Sequence, residues 1–231
     1  MDAIDPFAVD VVIPVRDGAR YLRPCLDSVM AQTRPVRAAV AVDDGSSDAT
    51  PEILADYRRR WPALEVVRTG KRGLPHARNT GFARCGAPLV AFLDSDDVWS
   101  PDKLERQRDL FASRGASVGL VYCGYSLIDE RGRPSDRTVI APRLRGDVLA
   151  ELLIGGNLIS GSGSAVVARR SLLERAGGFD ESLSFAEDWD LWLRLAELCK
   201  VDFVPQPLVA IRVHDENMQH REARHKLKVH P

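Results

Sequence analysis

Apolar runs and helical stripes alternate through the first hundred residues. Val9–Val15 is mostly apolar and β-branched, broken by Asp10 and closed around Pro14, the pattern of a first buried strand. Tyr21, Leu22, Cys25, Leu26, Val29 and Met30 then recur at helical spacing, and Pro24 sets the start of regular hydrogen bonding no earlier than about Arg23. Residues 38–42 predict a second strand that runs out into Asp43 and Asp44. Thr50 and Pro51 form a cap and first turn for a helix that carries Ile53, Leu54, Tyr57 and Trp61 inward. A strand at 64–68, a helix at 75–84 and a strand at 89–93 complete the alternation. It predicts an α/β fold with a doubly wound, mostly parallel central sheet flanked by helices.

After Pro101 the rhythm changes. Residues 103–113 predict a helix and 118–127 a longer strand, while 129–145 is polar with Gly132, Pro134 and Pro142, a loop with one short extended piece. A helix at 147–154 leads to a glycine- and serine-rich connection at 155–163 and a strand at 165–167. Residues 187–198 form a strongly patterned helix whose apolar face is Trp189, Leu191, Trp192, Leu195 and Leu198, and strands at 201–204 and 208–213 close the fold. From Asp215 the chain is polar, with His220, His225 and His230 among basic residues, a frayed tail. With no internal repeat or low-complexity linker, the expectation is one domain over residues 1–215 and a polar tail over 216–231.

Composition narrows the class. The 231 residues are 45% hydrophobic and 28% charged, with a formal net charge of −1, which fits an ordinary globular chain and offers no global field for nucleic acid or an acidic membrane. The longest apolar runs fall far short of the roughly 18 to 20 residues that cross a bilayer, and the acidic start Met1-Asp2-Ala3-Ile4-Asp5 is unlike a signal peptide. Cys25, Cys85, Cys123 and Cys199 form no C-x-x-C pair, so they read as reduced packing residues, and the expected location is cytoplasmic.

The candidate chemistry is acidic. Leu-Val-Ala-Phe-Leu at 89–93 empties into Asp94-Ser95-Asp96-Asp97, at the end of a strand where ligands of such sheets gather. Asp94 and Asp96, one residue apart, can project to the same side and share a divalent cation, with magnesium or manganese suited to a few carboxylates plus water and phosphate. Taken alone, the same run is also a solvated turn before the helix that begins near Pro101. Two more acidic clusters, Asp43-Asp44 and Glu187-Asp188, also stand at element boundaries, and the coincidence of three is hard to obtain by accident.

Six segments together resemble the family 2 glycosyltransferases, which have the GT-A fold. They are Val12-Ile13-Pro14-Val15, Val42-Asp43-Asp44-Gly45-Ser46-Ser47-Asp48, Ala77-Arg78-Asn79-Thr80-Gly81, Phe92-Leu93-Asp94-Ser95-Asp96-Asp97, Gly177-Gly178-Phe179-Asp180 and Glu187-Asp188-Trp189-Asp190-Leu191. The resemblance implies a donor-binding set of Pro14, Asp43, Asp44, Arg78, Asp94 and Ser95. In it Asp44 accepts from the nucleotide base, Asp43 steadies that turn, and Asp94 meets the ribose, or the metal through water. Arg78, on the third helix, would hold a phosphate by two parallel bonds; its plainer role is a surface arginine paired with a neighbouring acid. Asp43-Asp44-Gly45 likewise reads as a turn with a left-handed glycine. The resemblance implies Asp96 as the metal ligand, whereas Asp97 serves equally well as a cap for the helix at Pro101. His214, in Ile211-Arg212-Val213-His214, resembles an R-x-H element that approaches the diphosphate or metal.

Asp188 is implied as the base that takes the acceptor proton. Neighbours on a helix diverge by about 100°, so Glu187 and Asp188 cannot both serve one atom; alternatively these acids only offset the helix N-terminus. Trp189 and Trp192 are expected to pack in the core more than to stack on sugar, with a rim position the alternative for Trp189. The implied activity is metal-dependent inverting transfer, with Mn²⁺ or Mg²⁺, from a nucleoside diphosphate sugar, UDP-linked by expectation, to a hydroxyl of a glycan or lipid-linked saccharide. Residues up to about 97 would bind nucleotide and 98–215 the acceptor, with no transmembrane segment and peripheral membrane contact left open. Two rivals remain: a non-catalytic nucleotide-sugar sensor or scaffold, and a sugar nucleotidyltransferase, which needs a glycine-rich basic loop where residues 14–20 hold only Gly18. A dinucleotide-dependent dehydrogenase lacks its G-x-G-x-x-G.

Overall fold

The computed structural model describes residues 5–159 and 161–214, apart from the side chains of residues 136–138. The first half alternates as the pattern requires: β1 (Val9–Val15), α1 (Leu22–Met30), β2 (Ala38–Asp43), α2 (Thr50–Arg60), β3 (Leu64–Arg68), α3 (Leu74–Phe82) and β4 (Leu89–Phe92). There follow β5 (Val98–Trp99), α4 (Lys103–Arg114), β6 (Val118–Ile128), β7 (Pro134–Ile140), α5 (Leu149–Gly155) and a 3₁₀ turn at Gly163–Ala165. The last elements are β8 (Val167–Arg169), α6 (Arg170–Arg175), α7 (Glu187–Ala196) and β9 (Lys200–Arg212). The tail expected at 216–231, with His220, His225 and His230, lies outside the described residues.

Among the described residues the strands form one sheet in the order β3-β2-β1-β4-β8-β6-β9-β5, with β7 paired to β6. β3, β2, β1 and β4 are parallel, β8 runs antiparallel to both β4 and β6, and β6 and β9 are parallel again. The chain winds outward from β1 to β3 and then returns to lay β4 on the other side of β1. The order therefore reverses between β1 and β4, and the crevice beyond their carboxyl ends is a topological switch point.

Alternation along buried strands supplies both faces of the sheet. Val11, Ile13 and Val15 pack with Leu22, Leu26, Ile53, Leu54 and Tyr57 on one face, and Val12, Val90 and Phe92 with Leu191, Trp192 and Leu195 on the other. The polar interruption at Asp10 has a structural cause: its buried carboxylate accepts the Gly86 and Ala87 N–H groups at 2.7 and 2.8 Å and the Arg37 guanidinium, pinning the turn before β4 to β1. At Gly81 the backbone of α3 rests directly on β1, because a Cβ there would lie 2.4 Å from Val12 Cγ1.

Several elements differ from the expectation. β5 and α6 were not foreseen; at two and six residues they are too short to show a period. The one short extended piece expected in the polar segment before Arg145 is the seven-residue strand β7, which is hydrogen-bonded to β6. The strand expected at 165–167 starts two residues later, since Ala165 belongs to the 3₁₀ turn. The two strands expected at 201–204 and 208–213 are one strand, β9, with Pro205 and Pro207 inside it, where register shifts opposite Gly124 absorb them. The four cysteines are free, and burial pushes their thiols up, Cys85 to about 12 and Cys123 and Cys199 to about 11.

Lys103, in the first turn of α4, is wholly buried. Its Nζ donates to Gln107 Oε1 at 2.7 Å and lies 4.1 Å from the centre of the Trp99 ring. Burial lowers it from 10.5 to about 8, so between those pH values the unfolded chain binds more protons and stability rises with pH. Lys103→Met should remove that rising limb, which is on the order of 2 to 3 kcal/mol. Urea unfolding between pH 7 and 10.5 is the check, and parallel curves for the two proteins would contradict a costly buried ammonium.

Candidate active site

Two loops frame one side of the crevice. After β1, the Asp17 N–H donates to Ser46 Oγ at 2.9 Å, the Gly18 N–H to Thr50 Oγ1 at 3.0 Å and the Ala19 N–H to Asp48 Oδ2 at 2.9 Å. Asp17 Oδ1 accepts the Ser47 N–H in return at 2.7 Å. Pro14 is buried opposite Val42, past the last β1–β4 pair at Val12 and Phe92. Asp43 is also buried; it accepts the Ser46 N–H at 2.8 Å and lies 3.6 Å from Arg68 Nε. Asp17, Lys71, Ser162 and Ala186 are non-glycine residues with positive φ, and each belongs to a segment that carries or contacts an expected site residue. Strain of this kind concentrates at functional sites.

Asp44 is more than a turn residue and more encumbered than a plain base acceptor. Its Oδ1 accepts the Thr69 hydroxyl at 2.7 Å and the Arg72 N–H at 2.8 Å, and its Oδ2 the Gly73 N–H at 2.8 Å. Burial would raise this carboxyl, but those three donors outweigh it and hold the group below its ordinary value. Asp44 thereby anchors the β3–α3 loop.

The four residues after β4 diverge. Asp94 accepts Arg78 Nη2 at 2.8 Å. Ser95 stands against Gly18, where a Cβ would come within 3.3 Å of its Oγ. Asp96 Oδ2 is 2.9 Å from His214 Nε2. Asp97 turns inward, accepting the Ser164 hydroxyl at 2.6 Å and the Arg212 N–H at 3.0 Å, so it does not cap a helix at Pro101. Burial first, and then Asp96 and Asp94, push the Asp97 carboxyl well above the usual range.

Sequence reasoning missed two residues. Ser164 also accepts the Asp94 N–H, at 3.1 Å, yet nothing in its glycine- and serine-rich surroundings marks it out. Arg212 donates from Nε to Asp96 O at 2.9 Å and from Nη1 to Asp129 O at 3.0 Å, and its guanidinium lies 4.6 Å from the Tyr21 ring, itself 5.0 Å from the His214 ring. It stood in the Arg212-Val213-His214 run, where only the histidine drew notice.

Arg78 is neither at the surface nor open toward a ligand. It is 1% exposed, with Nη1 on Glu187 Oε1 at 2.7 Å and Nη2 on Asp94 Oδ1 at 2.8 Å. Burial would lower the guanidinium, but Asp94 and Glu187 outweigh it and keep it charged. Its neighbour Asn79 holds the Gly177-Gly178-Phe179 turn by reciprocal bonds, Nδ2 to Phe179 O at 2.8 Å and the Phe179 N–H to Oδ1 at 2.9 Å. Asp188 points away from Glu187, as the helical angle requires. It is half-buried, accepting the Asn157 amide at 3.3 Å and the Trp189 N–H at 2.7 Å. Trp192 is wholly buried as expected, whereas Trp189 is only half-buried.

The residues fit a divalent cation with few protein donors. Asp96 and His214 present one carboxylate and one imidazole, their side chains 28% and 9% exposed. Among the described residues no three His, Cys, Asp or Glu side chains converge as a metal set. An ion on this pair would leave its other positions to water and phosphate oxygens, as magnesium and manganese prefer.

The sequence matches the family described as glycosyl transferase family 2 over residues 10–177. An uncharacterized glycosyltransferase of Rickettsia typhi is 30% identical over 213 residues, covering 90% of this chain and 64% of its own length. The putative teichuronic acid biosynthesis glycosyltransferase TuaG of Bacillus subtilis is 35% identical over 150 residues, 64% of this chain and 59% of that protein. This chain therefore spans less than two thirds of these relatives. Among solved structures, S. aureus TarS 1–349 in complex with UDP-GlcNAc superposes with a TM-score of 0.72 at 20% identity, over 91% of this chain and 60% of that one. The mannosyltransferase PcManGT of Pyrobaculum calidifontis, in complex with GDP-Man and Mn²⁺, gives 0.71 at 22%, over 96% and 63%. Likeness at such identities shows the fold, which is of the GT-A type.

Asp44→Ala should leave the Thr69, Arg72 and Gly73 donors without their acceptor and destabilise the protein by about 1 to 3 kcal/mol. The urea midpoint should fall, and the Arg72 and Gly73 amides should lose protection from hydrogen exchange. Unchanged exchange in that loop would refute the anchoring role.

Proposed function

This chain belongs to glycosyl transferase family 2, and on that premise we propose that it moves a sugar from a nucleoside diphosphate sugar to a hydroxyl acceptor with inversion. The observation that supports this most is the single guanidinium of Arg78. It holds Asp94, beside the Asp96–His214 pair, and Glu187, beside Asp188.

In this reading the acceptor oxygen attacks the anomeric carbon as the bond from that carbon to the diphosphate breaks, and its proton passes to an Asp188 carboxylate oxygen. Asp188 suits the task because it is half-buried and bonded to Asn157 and to a backbone N–H, whereas Glu187 is committed to Arg78. Asp96 and His214 would hold Mn²⁺ or Mg²⁺, which supplies Lewis acidity toward the departing diphosphate. Pro14, Asp43 and Ser95 shape the donor crevice. Asp44 contributes to base recognition mainly through the 69–73 loop, since three of its roughly four acceptor positions are taken. The ligands of the structural neighbours make UDP-linked sugars with manganese the first donors to try and GDP-linked sugars the second. The acceptor is a hydroxyl of a glycan or lipid-linked saccharide, a class that agrees with the teichuronic acid role in the name of TuaG. No helix among the described residues is long and apolar enough to cross a membrane.

Calorimetry should show that UDP binds with manganese and that chelation or Asp96→Ala weakens binding at least about tenfold, or 1.4 kcal/mol. Equal affinity under all three conditions would eliminate the metal pair. In a hydrolysis screen of UDP- and GDP-linked sugars, Asp188→Asn should keep donor affinity and lower turnover by roughly 10² to 10⁴. Wild-type turnover in that variant would remove Asp188 as base. A wild type that binds donors tightly but turns over none would instead support a nucleotide-sugar sensor.

A further inference from the structure

We propose that Arg78 is a positioning residue that fixes the helix bearing the base against the donor end of the sheet, and that it makes no contact with phosphate. The proposal rests on the reading of Asp188 as the base. A phosphate-binding arginine needs an accessible fork, but here Nη1 and Nη2 are both engaged by carboxylates and the side chain is 1% exposed. The rest of its surface is enclosed. The Phe179 ring lies 5.1 Å away, and Gly163 approaches so closely that a Cβ there would be 3.4 Å from Nη2. Nε is buried with no partner among the described residues, so the group is oriented by its two acids alone.

The start of α7 depends on this contact. Its N-cap, Ala186, offers no side-chain cap and sits at φ 57 in the left-handed region, and the first turn carries Glu187, Asp188 and Asp190. Asp190 is paired to Arg194, which also donates to Ala176 O and Gly178 O, and among the described residues Asp188 accepts the Asn157 amide and its neighbouring N–H. Glu187 is the buried link from that first turn to α3. Arg78, at the other end of that link, is on α3, which rests on the sheet through Ala77 and Gly81. The chain of contact runs from sheet to α3, to Arg78, to Glu187, and so to the adjacent Asp188. A second branch, through Asp94, reaches the donor end.

The test is a double-mutant cycle on the full chain, using the nucleotide sugar turned over fastest in the screen, with manganese. The ammonium of Arg78→Lys can satisfy one carboxylate at a time. We expect kcat to fall at least tenfold, with the donor KM and the calorimetric affinity for UDP and manganese within threefold of wild type. In an Asp188→Asn background the same change should lower the residual single-turnover rate less than twofold, because the group being positioned is already disabled. Equal losses in both backgrounds, or a loss carried by UDP affinity, would overturn the proposal and return Arg78 to the donor site. If Arg78→Lys does not fold, Glu187→Gln keeps the shape and an acceptor for Nη1. It should show the same pattern, at least threefold in kcat and absent beside Asp188→Asn, and additivity there overturns the proposal equally. Asp188→Asn with wild-type turnover defeats the base reading itself, and this proposal with it, before any Arg78 variant is made.

Discussion

Burying a guanidinium removes several kcal/mol of hydration, which well-placed anions can offset, and at Arg78 that demand is met by carboxylates from two distant segments at once. Asp94 comes from the end of β4 and Glu187 from the start of α7. The neighbouring Asn79 binds the turn at Gly177-Gly178-Phe179, where a Cβ on Gly178 would lie 2.7 Å from Asn79 Oδ1. One short stretch of α3 thus gathers three of the segments that carried the family resemblance, and it explains why an arginine and an asparagine stand side by side on a helix that is otherwise pressed against the sheet.

The same demand sorts the acids around the crevice. A buried carboxylate must be given donors, and Asp43, Asp44 and Asp97 each receive them from a loop, a side chain or a strand backbone, while the half-buried Asp94 receives the Arg78 guanidinium. These residues build the walls. Asp96 meets His214, and Asp188 meets Asn157 and a neighbouring amide. A metal and a proton are the two things the proposed chemistry must hold, and these two carboxylates are the ones left to hold them.

The crevice is where it is because the strand order reverses between β1 and β4. Beyond the last β1–β4 pair the two strands part, and their following loops are stitched to different neighbours. The loop after β1 is tied to residues 46–50, and the segment after β4 to Ser164, Arg212 and His214. The segment after β1 also reaches the second half of the chain, through Arg20 to Glu130 and through the Tyr21 ring to Arg212 and His214, so residues from both halves enclose the crevice.

The sequence by itself determined the alternation of the first hundred residues, the fold class, the family and the clustering of acids at element ends, because apolar periodicity and short motifs are local properties. Asp96 and His214, which the resemblance implied as metal ligands, lie 2.9 Å apart, and Glu187 and Asp188 take different partners. What the sequence left undecided was which donor reaches which acid. Arg78 read equally as a ligand contact or a surface ion pair, Asp97 equally as a cap or as part of the acidic cluster, and nothing singled out Ser164. The extent of β7 depends on its pairing with β6, and β9 read as two strands although extra residues around its prolines bulge opposite Gly124 without ending the pairing. Tertiary structure decided these points, since a hydrogen bond between residues a hundred positions apart depends on the distance between them in the folded chain, and no local pattern encodes that distance.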